Sequence, residues 1–213
     1  MRGYADAALA LIGGMLLLSG CGGAPERAAQ TCYDMLQSER IVFTPATLPD
    51  TGCSVETPVR VSKADIDWSP PATMACGFAS RLREFIHETA EPLARADLGD
   101  NIRAMRNMGA FSCRRIASRD RMSEHASGLA IDIAGFELGS GGYVSVEHDW
   151  HGGNAKARFL HDFARAACKR FSVVLTPDYN RDHRNHIHID AGPQRLCGER
   201  AGESPPDREA RAE

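Results

Sequence analysis

The sequence lacks four things: an apolar run long enough to cross a bilayer, an excess of one charge, a C-x-x-C pair and an internal repeat. Each absence removes a class of protein. The longest apolar run, Ala7 to Leu18, is twelve residues, whereas a membrane helix needs about 20. Lys and Arg number 25 and Asp and Glu 28, a net charge of -3. That balance argues against nucleic acid as a partner, because such binding rests on a cationic surface. Without C-x-x-C, cysteine-ligated zinc is disfavoured. Without repeats, a solenoid is excluded. What remains is a chain of 213 residues, 43% apolar, enough for one globular domain with a real core.

The apolar run has the length of a secretory signal core. It ends in Leu18-Ser19-Gly20-Cys21, which resembles the lipobox of bacterial lipoproteins. That resemblance implies removal of residues 1–20, lipidation of Cys21 and attachment to the cell envelope. Gly22 after the cysteine implies the outer membrane, facing the periplasm. Residues 21–30 then read as a linker, 31–197 as a single domain and 198–213 as a disordered tail. The protein is expected to be a monomer. Six cysteines remain: Cys32, Cys53, Cys76, Cys113, Cys168 and Cys197. An even number in an exported chain suggests three disulfides. Pairing neighbours along the chain gives 32–53, 76–113 and 168–197.

The elements suggest an α+β domain with a small, mostly antiparallel sheet flanked by helices. Thr31 to Asp67, with Pro45, Pro49, Gly52 and Pro58, reads as loop-rich. Pro70-Pro71 reads as a break between elements. Apolar spacing predicts helices over Thr73 to Leu98 and Ala155 to Arg170. Strands are expected over Gly109 to Ile116, Leu129 to Phe136, Tyr143 to Val146, Phe171 to Leu175 and His186 to Asp190, with a turn at Pro177 to Asn180. The Gly-rich stretch Gly139 to Gly153, carrying Tyr143 and Trp150, reads either as a substrate rim or as a plain surface loop.

Two polar blocks carry the chemistry. Ser123-Glu124-His125-Ala126-Ser127-Gly128-Leu129-Ala130-Ile131-Asp132 precedes His183-Arg184-Asn185-His186-Ile187-His188-Ile189-Asp190 by about fifty positions. Strand alternation sends Ile131, Ile133, Ile187 and Ile189 to the core and Asp132, His186, His188 and Asp190 to the other face. Two such strands, paired, would present Asp132 and His188 to one surface. His125 is an odd number of residues from Asp132, so a turn must bring it back, and Gly128 can adopt positive φ there. Two imidazoles and one carboxylate form many catalytic zinc sites, with a fourth position left for water. Asp190 either hydrogen-bonds a ligand histidine or closes the strand. His87, His148, His151 and His161 read as structural or solvent-exposed.

Taken together and in order, Ser-x-His-x-x-Gly-x-Ala-x-Asp and His-x-His resemble the signature of the zinc D-Ala-D-Ala peptidases, the lysostaphin-type endopeptidases and their hedgehog-fold relatives. Cys76 to Cys197 also resembles the bacterial extensin-like C-terminal domain. The resemblance implies Zn2+ held by His125, Asp132 and His188, with His186 beside it as a catalytic group. His183 would act nearby, and Ser123 would hold the loop. Arg114, with Arg115 as the competing choice, would bind a substrate carboxylate. The implied activity is hydrolysis of peptide bonds in peptidoglycan. Where some relatives carry a carboxylate, three residues before the last ligand, this chain has Asn185. The base then has to be His186, His183 or a carboxylate such as Asp178 or Asp182.

Overall fold

The computed structural model describes residues 23–116 and 120–198. The expected signal segment, the lipidation site Cys21 and the tail beyond residue 198 lie outside the described residues. Helix α1, Ala24–Ser38, leads into strands β1 (Val42–Pro45), β2 (Pro58–Ala64) and β3 (Ile66–Ala75). Helix α2, Cys76–Phe85, a wider π turn at Ile86–Ala90 and helix α3, Glu91–Leu98, follow. After β4 (Ile102–Gly109), a 3-10 turn at Glu124–Ser127 leads to β5 (Ala130–Leu138) and β6 (Tyr143–Ser145). The rest is α4 (Val146–Asp149), α5 (Ala155–Arg170), β7 (Val173–Leu175), a 3-10 turn at Arg181–His183, β8 (Ile187–Asp190) and β9 (Leu196–Cys197).

The fold is α+β, but the sheet is not small. It has nine strands in the order β1-β2-β3-β4-β5-β8-β7-β9, with β6 added beside β5. It is mixed: β3–β4 and β7–β9 run parallel and the other pairs antiparallel. Helices α2, α3 and α5 pack on one face. There Phe78, Leu82, Phe85, Phe136, Phe159 and Phe163 share a core with Ile131, Ile133, Ile187 and Ile189. Helix α5 has the predicted bounds. Asn154 caps it by accepting the N–H groups of Lys156 and Ala157, and its apolar stripe is buried.

Several expectations fail for identifiable reasons. Residues 24–30 of the expected linker belong to α1, and the loop-rich opening segment contains β1 and β2; Leu36 of α1 and Val59, Val61 and Ala64 of β2 are buried in the core, whereas β1 is an edge strand with Val42 exposed. Pro70-Pro71 does not break the chain. It lies inside β3, exposed, where the pairing with β2 shifts register and no proline N–H is needed. Thr73–Ala75 therefore belong to β3, and the helix begins at Cys76. That long helix is interrupted by its π turn just before Pro92, which has no N–H to give to the preceding turn. The strand expected at 109–116 ends at Gly109 instead. Beyond it the chain bends over the turn carrying His125: Phe111 N–H bonds Thr73 O and Ser112 N–H bonds His125 O.

The disulfides are Cys32–Cys76, Cys53–Cys113 and Cys168–Cys197. Only the last was expected. Proximity in the fold, not order along the chain, decides pairing, since Cα atoms must lie within about 7 Å. Helix α1 docks at the start of α2, which places Cys32 and Cys76 with Cα atoms 6.3 Å apart.

Candidate metal centre

Strands β5 and β8 pair antiparallel, with Asp132 opposite His188 and Ile131 opposite Ile189. The four isoleucines are fully buried under the helices. Period-2 alternation therefore turns Asp132 and His188 to the opposite face, as the sequence pattern requires. His125 reaches them from the 3-10 turn. Ser123 caps that turn by accepting His125 N–H, and Gly128 ends it at φ 67°. A Cβ on Gly128 would lie 2.7 Å from Val55 Cγ1 and 2.8 Å from Ala75 N. Neither the backbone conformation nor the space there tolerates a side chain.

The geometry is tight. His188 Nδ1 lies 2.9 Å from Asp132 Oδ1 and 3.2 Å from His125 Nε2. His125 Nε2 lies 3.3 Å from the same carboxylate oxygen. The outer edges of both rings are occupied. His125 Nδ1 bonds the Ala110 carbonyl, which can only accept. His188 Nε2 lies 3.2 Å from Asp190 Oδ2, and Gly192 N–H holds the other Asp190 oxygen at 3.0 Å. A neutral imidazole has one N–H. With those protons outward, His125 Nε2, His188 Nδ1 and Asp132 Oδ1 are three lone-pair acceptors aimed at one point. Three acceptors with no donor between them repel unless a cation sits there. His125, Asp132 and His188 could hold a metal ion, and outward hydrogen bonds of this kind fix ligand histidines in metal sites.

Titration behaviour follows from that crowding. Burial pushes His188 down, but its hydrogen bonds to Asp132 and Asp190 and their charges outweigh burial, and its pKa is raised to about 9. Burial raises the Asp132 carboxyl, yet the hydrogen bonds and charges of His125 and His188 hold it well below the usual carboxylate range. In the metal-free protein a proton on His188 thus does the work of the cation.

The remaining sequence candidates take distinct places. His186 Nε2 lies 3.6 Å from Asp132 Oδ1, and its Nδ1 faces Asn185 Oδ1 at 2.9 Å. Burial lowers its pKa, partly offset by Asp132; Arg114 is close enough to add to the lowering. The His183 ring lies 5.1 Å from that of His186, and burial followed by repulsion from His186 and His188 pushes its pKa down to about 4. Arg115 pairs with Asp120, both side chains exposed. Asp178 receives the indole N–H of Trp150 at 3.0 Å, and Asp182 sits on the exposed side of its turn. Trp150 is no rim residue: it is buried, its ring packed on His161. Tyr143 is exposed on the sheet's open face, with its ring over Gly135.

Sequence reading marks Asp178, Tyr179 and Asn180 as cleft-lining candidates but misses the Ala110 carbonyl, Gly192 and the capping role of the Asn180 side chain. The first carries no sequence signal. The third does: an Asn three residues before a His, ahead of a short polar run, has the form of a helix cap.

Fold and site together define an α+β domain with a metal-competent two-histidine, one-aspartate cluster on the open face of its sheet. The sequence model of the family described as Extensin-like protein C-terminus matches residues 30–198. The chain belongs to that family. No curated protein and no solved structure matches it.

Proposed function

We propose that this protein is a zinc-dependent hydrolase of peptide bonds in peptidoglycan stem peptides, of carboxypeptidase or endopeptidase type and with a hedgehog- and D-Ala-D-Ala-peptidase-like fold. It would work at the cell envelope, tethered through a lipid on Cys21. The observation that carries the reading is the convergence of His125 Nε2, Asp132 Oδ1 and His188 Nδ1. Zinc bound by these residues would supply Lewis-acid chemistry and acidify a water toward a pKa of about 7.

The chain's own groups have separable tasks. Ala110 and Asp190 orient the two imidazoles. His186 Nε2, neutral near pH 7 and beside Asp132, is the atom placed to take or give a proton. Asn185 at His186 Nδ1 fixes the orientation of that ring. The Arg114 guanidinium, near His186 and without an ion pair among the described residues, suits a peptide carboxylate.

A second reading has its own support. Asn185 stands where some peptidases carry a carboxylate base, and an amide takes no proton near neutral pH. A wall-binding protein that keeps a structural metal would have the same geometry. Digestion of purified sacculi by the zinc-loaded mature protein, with products identified by mass, separates the two. The hydrolase should release peptides, and His186→Ala should stop release while zinc stays bound. Tight binding to sacculi without any product would establish the wall-binding reading.

A further inference from the structure

The loop from Thr176 to His183 borders the metal cluster, and one of its side chains has an unambiguous orientation. The Asn180 side-chain oxygen accepts the backbone N–H groups of Asp182 at 3.0 Å and His183 at 3.2 Å. A peptide N–H only donates, so the atom facing both is the oxygen and not the amide nitrogen. The same oxygen lies 2.7 Å from His183 Nδ1. That nitrogen must carry the proton, and Nε2 is left with a lone pair.

The loop is held from several sides. The Trp150 indole N–H donates to Asp178 at 3.0 Å, and Tyr179 N–H bonds Thr176 O at 2.9 Å. The Tyr179 ring meets the His183 ring edge to face, with centroids 5.6 Å apart. One edge of the imidazole is thus fixed by Asn180 and its flank by Tyr179. Its other edge, Nε2, makes no hydrogen bond among the described residues. The ring lies 5.1 Å from His186 and 6.1 Å from His188, centroid to centroid.

We propose that Asn180 is a positioning residue that locks His183 in the Nδ1–H tautomer, so that the loop beside the metal cluster carries a fixed acceptor, His183 Nε2, for an N–H donor of a bound peptide. The lock stands on the loop geometry alone. Its use toward a peptide rests on the function proposed above. A fixed acceptor favours an amide or amine N–H at that point and disfavours a carbonyl or carboxylate oxygen, whose lone pairs would face its own.

The test reads the tautomer directly. Long-range proton–nitrogen correlation spectra of the 15N-labelled, zinc-loaded mature chain report which His183 nitrogen is protonated, with His183→Gln assigning the signals. Wild type should show Nδ1–H. Asn180→Asp keeps an acceptor for all three donors and should keep that tautomer. Asn180→Ala should shift the ring toward Nε2–H. Asn180→Ser can still cap the turn, but its hydroxyl both donates and accepts, so it should give a mixture. An Nε2–H ring in wild type, or an unchanged ring in Asn180→Ala, overturns the lock. Sacculus digestion is scored separately. Asn180→Ala should lose about tenfold in kcat/KM, the worth of one hydrogen bond, and Asn180→Asp should recover most of it. A shifted tautomer with undiminished digestion overturns the role toward peptide. Failure of wild type to release any product removes the proposed function, and the spectra still decide the lock.

Discussion

Metal affinity should climb steeply with pH, and the slope is set by one proton. His188 in the metal-free protein has its pKa raised to about 9, so at pH 7 its inward nitrogen is protonated. An arriving ion must displace that proton. Each pH unit below the pKa costs the ion about 1.36 kcal/mol. At pH 7 the cost is therefore about 2.7 kcal/mol, an apparent affinity about a hundredfold weaker than that of the fully deprotonated site. Competition against a zinc chelator of known pH dependence measures the slope. Calorimetry in buffers of different ionisation enthalpy counts the released protons. About one proton per ion at pH 7, and a slope near one decade per pH unit below about pH 8 that flattens through pH 9, are the expected results. Asp190→Asn removes the anion behind His188 Nε2, so the sloping region should move to lower pH. Affinity flat from pH 7 to 9 with no proton released would refute the reasoning, because the inward nitrogen of His188 would then never have held a proton for the ion to displace.

The same proton bears on the fold. A raised folded pKa contributes stability that is fully present below the unfolded value of about 6.5. The metal-free protein should therefore lose stability as pH rises through about 9, the folded pKa of His188, which urea denaturation at several pH values can follow. Gly128→Ala combines a positive φ with backbone and side-chain atoms under 3 Å from the new Cβ. It should destabilise by about 2–4 kcal/mol, read from the urea midpoint. A Cβ on Gly192 would lie 2.5 Å from the Glu124 carboxyl carbon, and the Gly192 N–H holds Asp190. That carboxyl is the flexible end of its side chain and alanine keeps the N–H, so Gly192→Ala should leave metal affinity within about twofold and the circular dichroism spectrum unchanged. Replacing Cys32 and Cys76 together by serine should cost about 2–4 kcal/mol and speed hydrogen exchange in α1, which that bond ties to α2.

The legible parts of this protein are those where a local rule suffices. Helix α5 was readable because its cap, apolar stripe and basic end all lie within one stretch of chain. The β5 and β8 faces were readable because isoleucine at every second position leaves only one face for Asp132 and His188. The turn at Gly128 followed from an odd spacing that a straight strand cannot meet. The edge elements were not readable. Strand β3 runs through two prolines, and β1 and β2 sit among turn-forming residues. The buried sides of β2 and β3, such as Val59, Val61 and Met74, are satisfied by the rest of the core, which no local pattern announces.

The sequence by itself determined which residue types could meet a cation, on which strand faces they lie and where a glycine had to turn the chain. Alternation and backbone sterics act between near neighbours, so they are written in the order of residues. Only the tertiary structure decided which cysteines pair, that Ala110 O and Asp190 push the imidazole lone pairs inward, and that Asn180 holds His183. Those outcomes depend on distances between remote segments, and packing of the whole sheet against its helices sets them.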